Sequence, residues 1–252
     1  MPANPPPPCP ALSASRVTKS YGQVPALRGI DLEVPDGSAF GLVGLNGAGK
    51  TTLIKCMLDF CSVDSGSLRI FGVVHTQTAA RARIAFVPER FVPPHYLTSR
   101  EFMELTFALS GDRFDPDRVE SLFDELGLDR AAMGRPVRQL SKGMTQKLGL
   151  AGCFVVERDL YVLDEPMSGL DPASRVAVKS VLARLTREKR TLFFTSHVLA
   201  DVEELCSSIA VLDRGEIRFE GSPRGLCERF GEAQLERAFM RCIDDAQRAA
   251  AA

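Results

Sequence analysis

Residues 44–51 constrain the fold of this chain more than any other part of its sequence. They read GLNGAGKT and fit the pattern G-x-x-x-x-G-K-[ST], with the strand-like segment SAFGLV before them and the helix-like segment TLIKCMLDF after them. A glycine-rich turn between a strand and a helix lets successive backbone amides point at phosphate oxygens. The sequence therefore predicts a phosphate-binding loop on an α/β fold, and the alternative is a glycine-rich turn with a surface lysine.

The side chains of this loop predict how a nucleotide would be held. Lys50 is expected to reach the β and γ phosphates, and the Thr51 hydroxyl is expected to ligate Mg²⁺. The remaining residues expected to contact the nucleotide are Gly44, Asn46, Gly47, Ala48, Gly49 and Thr52. The cofactors that this pattern predicts are therefore ATP and Mg²⁺.

Apolar periodicity predicts how the rest of the chain is organised. Strand-like segments occur at residues 12–18, 27–34, 38–43, 84–88, 159–163, 191–195 and 209–213. Helix-like segments occur at residues 52–60, 101–109, 116–126, 173–188 and 199–205. Their alternation predicts a mostly parallel sheet of the P-loop NTPase type. The early strands lack intervening helices, and residues 213–215 (DRG) resemble a hairpin turn, so an antiparallel β portion is expected beside that core.

A second chemical motif, LYVLDEP, spans residues 160–166. It is an apolar strand that ends in two carboxylates, at the sheet edge where open α/β folds place their ligands. Asp164 is expected to hold Mg²⁺ through water, and Glu165 is expected to act as the general base on the water that attacks the γ phosphate. The alternative is a strand that simply ends in an acidic turn.

A third motif, LSKGMTQ, spans residues 140–146 and resembles the start of a helix that binds an anion. Ser141 is a good N-cap, and Lys142 and Gly143 leave the first-turn amides unobstructed. The alternative is an ordinary helix cap.

Composition excludes several classes of protein. The formal net charge is -1, so no overall basic field favours nucleic acid. Seven cysteines and three histidines without a CxxC pair favour neither a disulfide framework nor a zinc site, and fit a reducing cytosol. The longest apolar run, residues 148–156, is too short for the roughly 20 residues that cross a bilayer, so no direct membrane insertion is expected. Residues 1–10 are rich in proline and are expected to form a disordered lead rather than a secretory signal.

The chain resembles the nucleotide-binding subunits of ABC transporters. The resemblance rests on five features that occur in this order: Lys50, LSKGM, LDEP, SGLD (168–171) and TSH (195–197). The resemblance covers about residues 12–221. It implies an ATP-hydrolysing domain over residues 11–232 with a helical subdomain at about 91–152, followed by a short tail at 233–252. It also implies a separate integral membrane permease and a second ATPase subunit, expected to be a copy of this chain. Such a protein would lie at the cytoplasmic face of the inner (plasma) membrane, held there by the permease.

The resemblance assigns further roles. Tyr21, in KSYGQVPAL, matches the aromatic residue that stacks on adenine, although an ordinary strand aromatic is the alternative. His197 matches a switch histidine that contacts the γ phosphate. Asp171 matches a loop that links two active sites across the dimer, although the same residue would cap a helix before Pro172. Ser141 and its neighbours would meet the γ phosphate of ATP that the opposite subunit's Lys50 holds.

Two positions depart from the commonest family sequence. Glu89, in VPERFVPP, stands where glutamine is usual, which implies contact with the nucleotide and Mg²⁺. A glutamate there adds negative charge near Asp164 and Glu165. Two roles for Glu89 are therefore open, one in hydrolysis and one in coupling to the permease. LSKGM stands where LSGGQ is usual. These departures resemble the branch that exports drugs, lipids, polysaccharides or haem-related cargo, or serves metal-cofactor maturation. There are two alternatives to an export subunit. One is an importer subunit, and the other is a soluble ABC ATPase in translation or DNA repair.

Overall fold

A computed structural model gives the structure of residues 9–251. Residues 1–8 of the predicted proline-rich lead lie outside the described residues. The described strands are β1 (Leu12–Tyr21), β2 (Val24–Val34), β3 (Ala39–Val43), β4 (Ser65–Ile70), β5 (Val73–Val74), β6 (Ile84–Val87), β7 (Leu160–Asp164), β8 (Thr191–Ser196), β9 (Ser208–Asp213) and β10 (Glu216–Gly221). The described α-helices are α1 (Lys50–Met57), α2 (Thr78–Arg81), α3 (Ser99–Ser110), α4 (Pro116–Glu125), α5 (Lys142–Val155), α6 (Pro172–Arg187), α7 (Leu199–Leu205), α8 (Pro223–Phe230) and α9 (Leu235–Ala251). Two short 3₁₀ turns, Arg130–Gly134 and Val137–Gln139, lead into α5.

The larger sheet has six strands in the order β10-β9-β3-β8-β7-β6. All neighbours in it pair in parallel except β9 and β10, which pair antiparallel. Every residue of β3, β7 and β8 is buried, because layers of structure cover both faces of a parallel sheet. The mostly parallel core predicted from the sequence is thereby confirmed. The carboxyl ends of β3, β6, β7 and β8 meet at one edge of this sheet, and the candidate site lies there.

The smaller sheet is antiparallel, with strands in the order β2-β1-β4-β5. It packs its apolar side chains with α1 and one face of the larger sheet, around a core that includes Phe40 and Phe193, whose rings stack 6.0 Å apart. The predicted antiparallel portion is therefore confirmed. The predicted turn after β9 is also present, since Arg214 and Gly215 both have positive φ (48° and 80°) between two antiparallel strands.

Helices α3, α4 and α5 form the inserted helical portion, and their buried side chains join a second core cluster on the other face of the larger sheet. None of the helices in residues 9–251 is both long and apolar enough to span a bilayer.

The segment predicted as a short tail contains α9. Buried side chains recur along one face of this helix at Leu235, Ala238, Phe239, Cys242 and Ile243, so α9 packs into the same core cluster as the inserted helices. The domain boundaries at residues 11–232 and 233–252 stay predictions.

Candidate active site

A cavity of about 590 Å³ opens at the carboxyl edge of the larger sheet. Its lining combines the glycine-rich loop with residues that follow β6, β7 and β8. The lining residues that the sequence predicted as site residues are Gly44, Asn46, Gly47, Ala48, Gly49, Lys50, Thr51, Thr52, Glu89, Asp164, Glu165 and His197. The fold therefore brings most of the predicted site residues to one place.

The loop before α1 can adopt its shape only with glycine at specific positions. A Cβ at Gly44 would lie 2.3 Å from the carbonyl oxygen of Leu212, and Gly49 has a φ of 115° with a Cβ position 2.7 Å from the carbonyl oxygen of Ala26. Side chains at these two positions would collide with backbone. The loop consequently packs against the core strands and directs the amino end of α1, with its partial positive charge, into the cavity.

Lys50 is the first residue of α1 and is only 8% exposed. Its Nζ donates hydrogen bonds to the carbonyl oxygens of Gly44, at 2.8 Å, and Leu45, at 3.2 Å. Burial lowers the pKa of this amine, whereas the carboxylates of Glu165, Asp164 and Glu89 act in the opposite direction. The loop thus holds the ammonium inside the cavity. The Nζ atom points back toward the backbone of the loop, which would surround a phosphate chain.

Asp164, at the end of β7, is buried, and both of its carboxylate oxygens accept hydrogen bonds. The Thr51 hydroxyl donates to Oδ2 at 3.0 Å, and the Thr195 hydroxyl donates to Oδ1 at 2.6 Å. Because β7 and β8 are parallel neighbours, Asp164 and Thr195 lie in register across the ladder. Two threonines on different elements therefore fix the orientation of this carboxylate.

Glu165 follows Asp164 in the left-handed backbone region, with a φ of 49°. Its amide donates to the Thr195 hydroxyl at 2.9 Å, and its Oε2 lies 2.8 Å from Nδ1 of His197. The Glu165 side chain is 9% exposed and that of His197 is 60% exposed. The backbone of Glu165 is thus held by Thr195 of β8, and its carboxylate contacts the His197 imidazole.

Glu89 lines this cavity and also a neighbouring one of about 550 Å³. Lys142, Gln146 and Ser168 also line the second cavity. Gln146 donates from Nε2 to the carbonyl oxygen of Pro166 at 3.2 Å, which ties α5 to the turn after Glu165. Glu89 consequently lies between the carboxylate pair and the start of α5.

Five predicted site residues do not line the main cavity of the described chain. Tyr21 lies at the end of β1, is 50% exposed, and donates from its hydroxyl to Sγ of Cys61 at 3.6 Å. Ser141 caps α5 by accepting from the Met144 amide at 3.2 Å, with Lys142 and Gly143 next to it. Asp171 caps α6 by accepting from the Ser174 amide at 2.9 Å. Within the single chain these residues hold local structure, and their roles in nucleotide binding stay predictions.

Sequence reasoning assigned no role to Thr195 or Gln146. Thr195 lies within the quoted TSH motif and is fully buried at the carboxyl end of the strand beside β7. The signal that could have identified Thr195 is a polar residue at the end of an apolar strand. A buried hydroxyl needs hydrogen-bond partners, and the nearest polar groups are those of the acidic pair. Phe239 of α9 also lines the cavity and was not predicted.

Replacing Thr195 with valine should destabilise the protein by about 2 to 6 kcal/mol, since two buried groups would each lose a partner at roughly 1 to 3 kcal/mol. Urea unfolding, followed by circular dichroism, measures this. Thr195→Ser keeps the hydroxyl and should restore most of the stability. If valine and wild type unfold at the same urea concentration, the bridge between Asp164 and the Glu165 amide is not a stabilising element.

Comparison with known proteins agrees with this arrangement. The family profile described as "ABC transporter" matches residues 27–168. An uncharacterised ABC transporter ATP-binding protein of Synechocystis sp. is 37% identical over 203 residues, which cover 79% of this chain and 57% of that protein. A Nod factor export ATP-binding protein I of Cupriavidus metallidurans is 34% identical over 222 residues, covering 86% of this chain and 73% of that protein.

Among solved structures, one described as the ATP binding subunit of an ABC transporter superposes with a TM-score of 0.85 at 26% identity. The superposition covers 92% of this chain and 99% of that one. The family profile spans more than half of the chain, and its residues include the glycine-rich loop and the acidic pair that form the cavity. This chain therefore belongs to the ABC transporter family.

Proposed function

We propose that this chain is the ATP-binding and ATP-hydrolysing subunit of a transporter. It works as a dimer around two ATP molecules and moves a separate integral membrane permease, at the cytoplasmic face of the inner membrane. The observation that carries this proposal is the convergence of Lys50, Asp164, Glu165 and His197 in one cavity. Membership of the family and similarity to transporter ATP-binding proteins support it.

Phosphate binding is the first task of these residues. The ammonium of Lys50 would exchange its two carbonyl partners for β and γ phosphate oxygens, which accept stronger, charge-assisted hydrogen bonds. The backbone amides at the amino end of α1 also point into the cavity and add their partial positive charge. Since these donors are already fixed by the loop, little reorganisation is needed when the phosphates bind.

Mg²⁺ fits the donors that the cavity offers. The Thr51 hydroxyl and the Asp164 carboxylate, 3.0 Å apart, are hard oxygen ligands of the kind that Mg²⁺ prefers. Within the described residues, no group of three or more His, Cys, Asp or Glu side chains forms a metal site alone. Phosphate oxygens and water would complete the coordination, as is usual for Mg²⁺ bound with a nucleotide. When bound, the ion would neutralise charge that develops on the phosphates.

Hydrolysis is assigned to Glu165. Its carboxylate would accept the proton of the attacking water as the general base, and His197 would orient it through the Nδ1 contact at 2.8 Å. The carboxylate is largely buried, so bulk water competes little for it. Phosphoryl transfer to water depends mainly on this kind of positioning and electrostatic stabilisation.

The second subunit would complete each site. Ser141 and the amino end of α5 are exposed and lie outside the main cavity of their own chain, which suits contact with the γ phosphate of the other chain's nucleotide. We assign Tyr21 to adenine stacking and Asp171 to the contact between the two sites. Glu89, between the two cavities, would link the nucleotide to the permease. Similarity to a Nod factor export protein favours export as the direction of transport.

The test of nucleotide binding is the Lys50→Ala variant. Because alanine removes a charged donor to the phosphates, ATP affinity should fall on the order of tenfold to a hundredfold, from roughly 1.5 to 3 kcal/mol for a hydrogen bond to a charged group. Titration calorimetry with Mg-ATP measures it. Lys55→Ala is the matched control, since Lys55 lies on the same helix and is exposed. Unchanged affinity in Lys50→Ala, with the fold intact by circular dichroism, would exclude the assigned role.

A further inference from the structure

Two cysteines meet at the carboxyl end of α1, the helix that begins at the phosphate-binding loop. The chain turns back at Asp59, which has a φ of 59°, and the amide of Phe60 donates to the carbonyl oxygen of Lys55 at 2.8 Å. The next amide, that of Cys61, points at the same carbonyl at 3.4 Å. This turn brings Cys61 beside Cys56, and the two Sγ atoms lie 3.5 Å apart.

We propose that Cys56 and Cys61 form a reversible disulfide, which makes the end of α1 a site of oxidative modification that weakens nucleotide binding through Tyr21. The second half of this statement rests on the proposed function, because it uses the assignment of Tyr21 to the adenine base. The first half depends only on the two thiols.

The geometry makes the bond accessible by side-chain rotation. A disulfide needs an S–S distance of about 2.05 Å, so the sulfur atoms have to approach by roughly 1.5 Å from their present separation. The backbone of the two residues is already held together by the turn at Asp59. Cys56 is fully buried and Cys61 is half-buried, so Cys61 is the sulfur that an oxidant reaches.

The chemistry balances with a peroxide as the two-electron oxidant. The Cys61 thiolate attacks the peroxide oxygen, the O–O bond breaks, and Cys61 becomes a sulfenic acid. The other half of the peroxide leaves as hydroxide or alkoxide, which takes up the proton that the Cys61 thiol released. The Cys56 sulfur then attacks the Cys61 sulfur, the S–S bond forms, and hydroxide leaves and takes up the Cys56 proton as water. A thiol reductant reverses the reaction by exchange.

The two thiols differ in character. Burial, and next the hydrogen bond with Cys61, raises the pKa of Cys56 to about 12, so Cys56 is protonated at neutral pH. Cys56 is thus not the sulfur that reacts first with the peroxide.

Tyr21 connects this pair to the nucleotide site. Its hydroxyl donates to Sγ of Cys61, and this hydrogen bond raises the pKa of Tyr21. Tyr21 as a whole residue is 50% exposed to solvent. When Cys61 rotates toward Cys56, the hydroxyl loses this acceptor and the ring loses one of its contacts, while the Lys19 ammonium stays 5.7 Å from the ring centroid. Since stacking on an aromatic side chain contributes about 1 to 3 kcal/mol per base, loss of part of it should weaken ATP binding by about threefold to tenfold.

The experiment treats the full chain with hydrogen peroxide and digests it with trypsin after blocking free thiols. Residues 56–69 form one tryptic peptide that carries both cysteines. We expect this peptide to become lighter by two hydrogens, to escape alkylation, and to return to its starting mass with dithiothreitol. ATP affinity of the oxidised and the reduced protein is then compared by titration calorimetry.

Two variants serve as controls. Cys61→Ser keeps an acceptor for the Tyr21 hydroxyl but cannot form the bond, so its ATP affinity should not respond to peroxide. Cys9→Ser removes an exposed thiol elsewhere and should respond as wild type does.

Each result decides a separate statement. If Cys9 is oxidised while the peptide of residues 56–69 stays reduced, the disulfide is excluded. If the disulfide forms and ATP affinity does not change, the link through Tyr21 is excluded. If the reduced protein binds no ATP, the proposed function fails, and the peptide mass still decides whether the disulfide exists.

Discussion

A Glu165→Gln variant is expected to bind ATP and to lose ATP turnover by a factor on the order of 10² to 10⁴, the range that a general base contributes. The amide has nearly the shape of the carboxylate and can still accept from Nδ1 of His197, so the 2.8 Å contact has a counterpart in the variant. An amide cannot take the proton of the attacking water. ATP should therefore bind and remain intact.

Two measurements test this prediction. Phosphate release gives the turnover rate, and size-exclusion chromatography with Mg-ATP should show a dimer that accumulates because hydrolysis no longer separates it. Glu203→Gln is the control, because this exposed carboxylate on α7 undergoes the same chemical change without lining the cavity. A phosphate-release rate equal to that of wild type would remove Glu165 from the role of general base.

The Ser141→Arg variant should also lose turnover, while one chain alone still binds ATP. Ser141 is exposed at the amino end of α5 and does not line its own chain's cavity, so binding by the monomer should not depend on it. A long, charged side chain there would keep the second subunit from approaching the γ phosphate. The expected result is unchanged ATP affinity in the calorimeter, no ATP-dependent dimer, and turnover near the background rate.

This substitution also removes the cap of α5, and caps contribute about 1 kcal/mol. Ser222→Arg separates the two effects. Ser222 caps α8 in the same way, by accepting from the Gly225 amide at 2.9 Å, and it lies outside the cavity. The Ser222→Arg substitution should lower the free energy of unfolding by a similar amount and leave ATP turnover intact. Full turnover in Ser141→Arg would mean that this helix end does not act across the dimer.

The sequence predicted the cavity because its two strongest motifs follow strands. In a parallel sheet the residues after each strand meet at one edge, so Lys50 and the pair of Asp164 and Glu165 were expected to converge, and they do. Ser141 and Asp171 could not be placed in the same way. Each caps its own helix in the single chain, and a role in a second subunit's site leaves no trace in the contacts of one subunit.

Sequence periodicity missed strands β4 and β5 and helices α2, α8 and α9. Strand β4 alternates exposed and buried residues only over its last four residues, and β5 has two residues, so neither gives a clear period-two signal. Helix α9 does carry a helical period, with Leu235, Ala238, Phe239 and Cys242 spaced by three, one and three residues on its buried face. That pattern could have predicted the helix, but not that Phe239 reaches the cavity, because this depends on how α9 packs in three dimensions.

The left-handed backbone of Glu165 implies a conflict between chemistry and stability at that residue. Glutamate at a φ of 49° is strained, typically by about 1 to 3 kcal/mol, and glycine or asparagine would adopt the same conformation more easily. Selection for stability alone would favour these residues. A relative that keeps the fold but no longer turns over ATP should therefore drift toward glycine or asparagine at this position, and would become more heat-resistant as it did so.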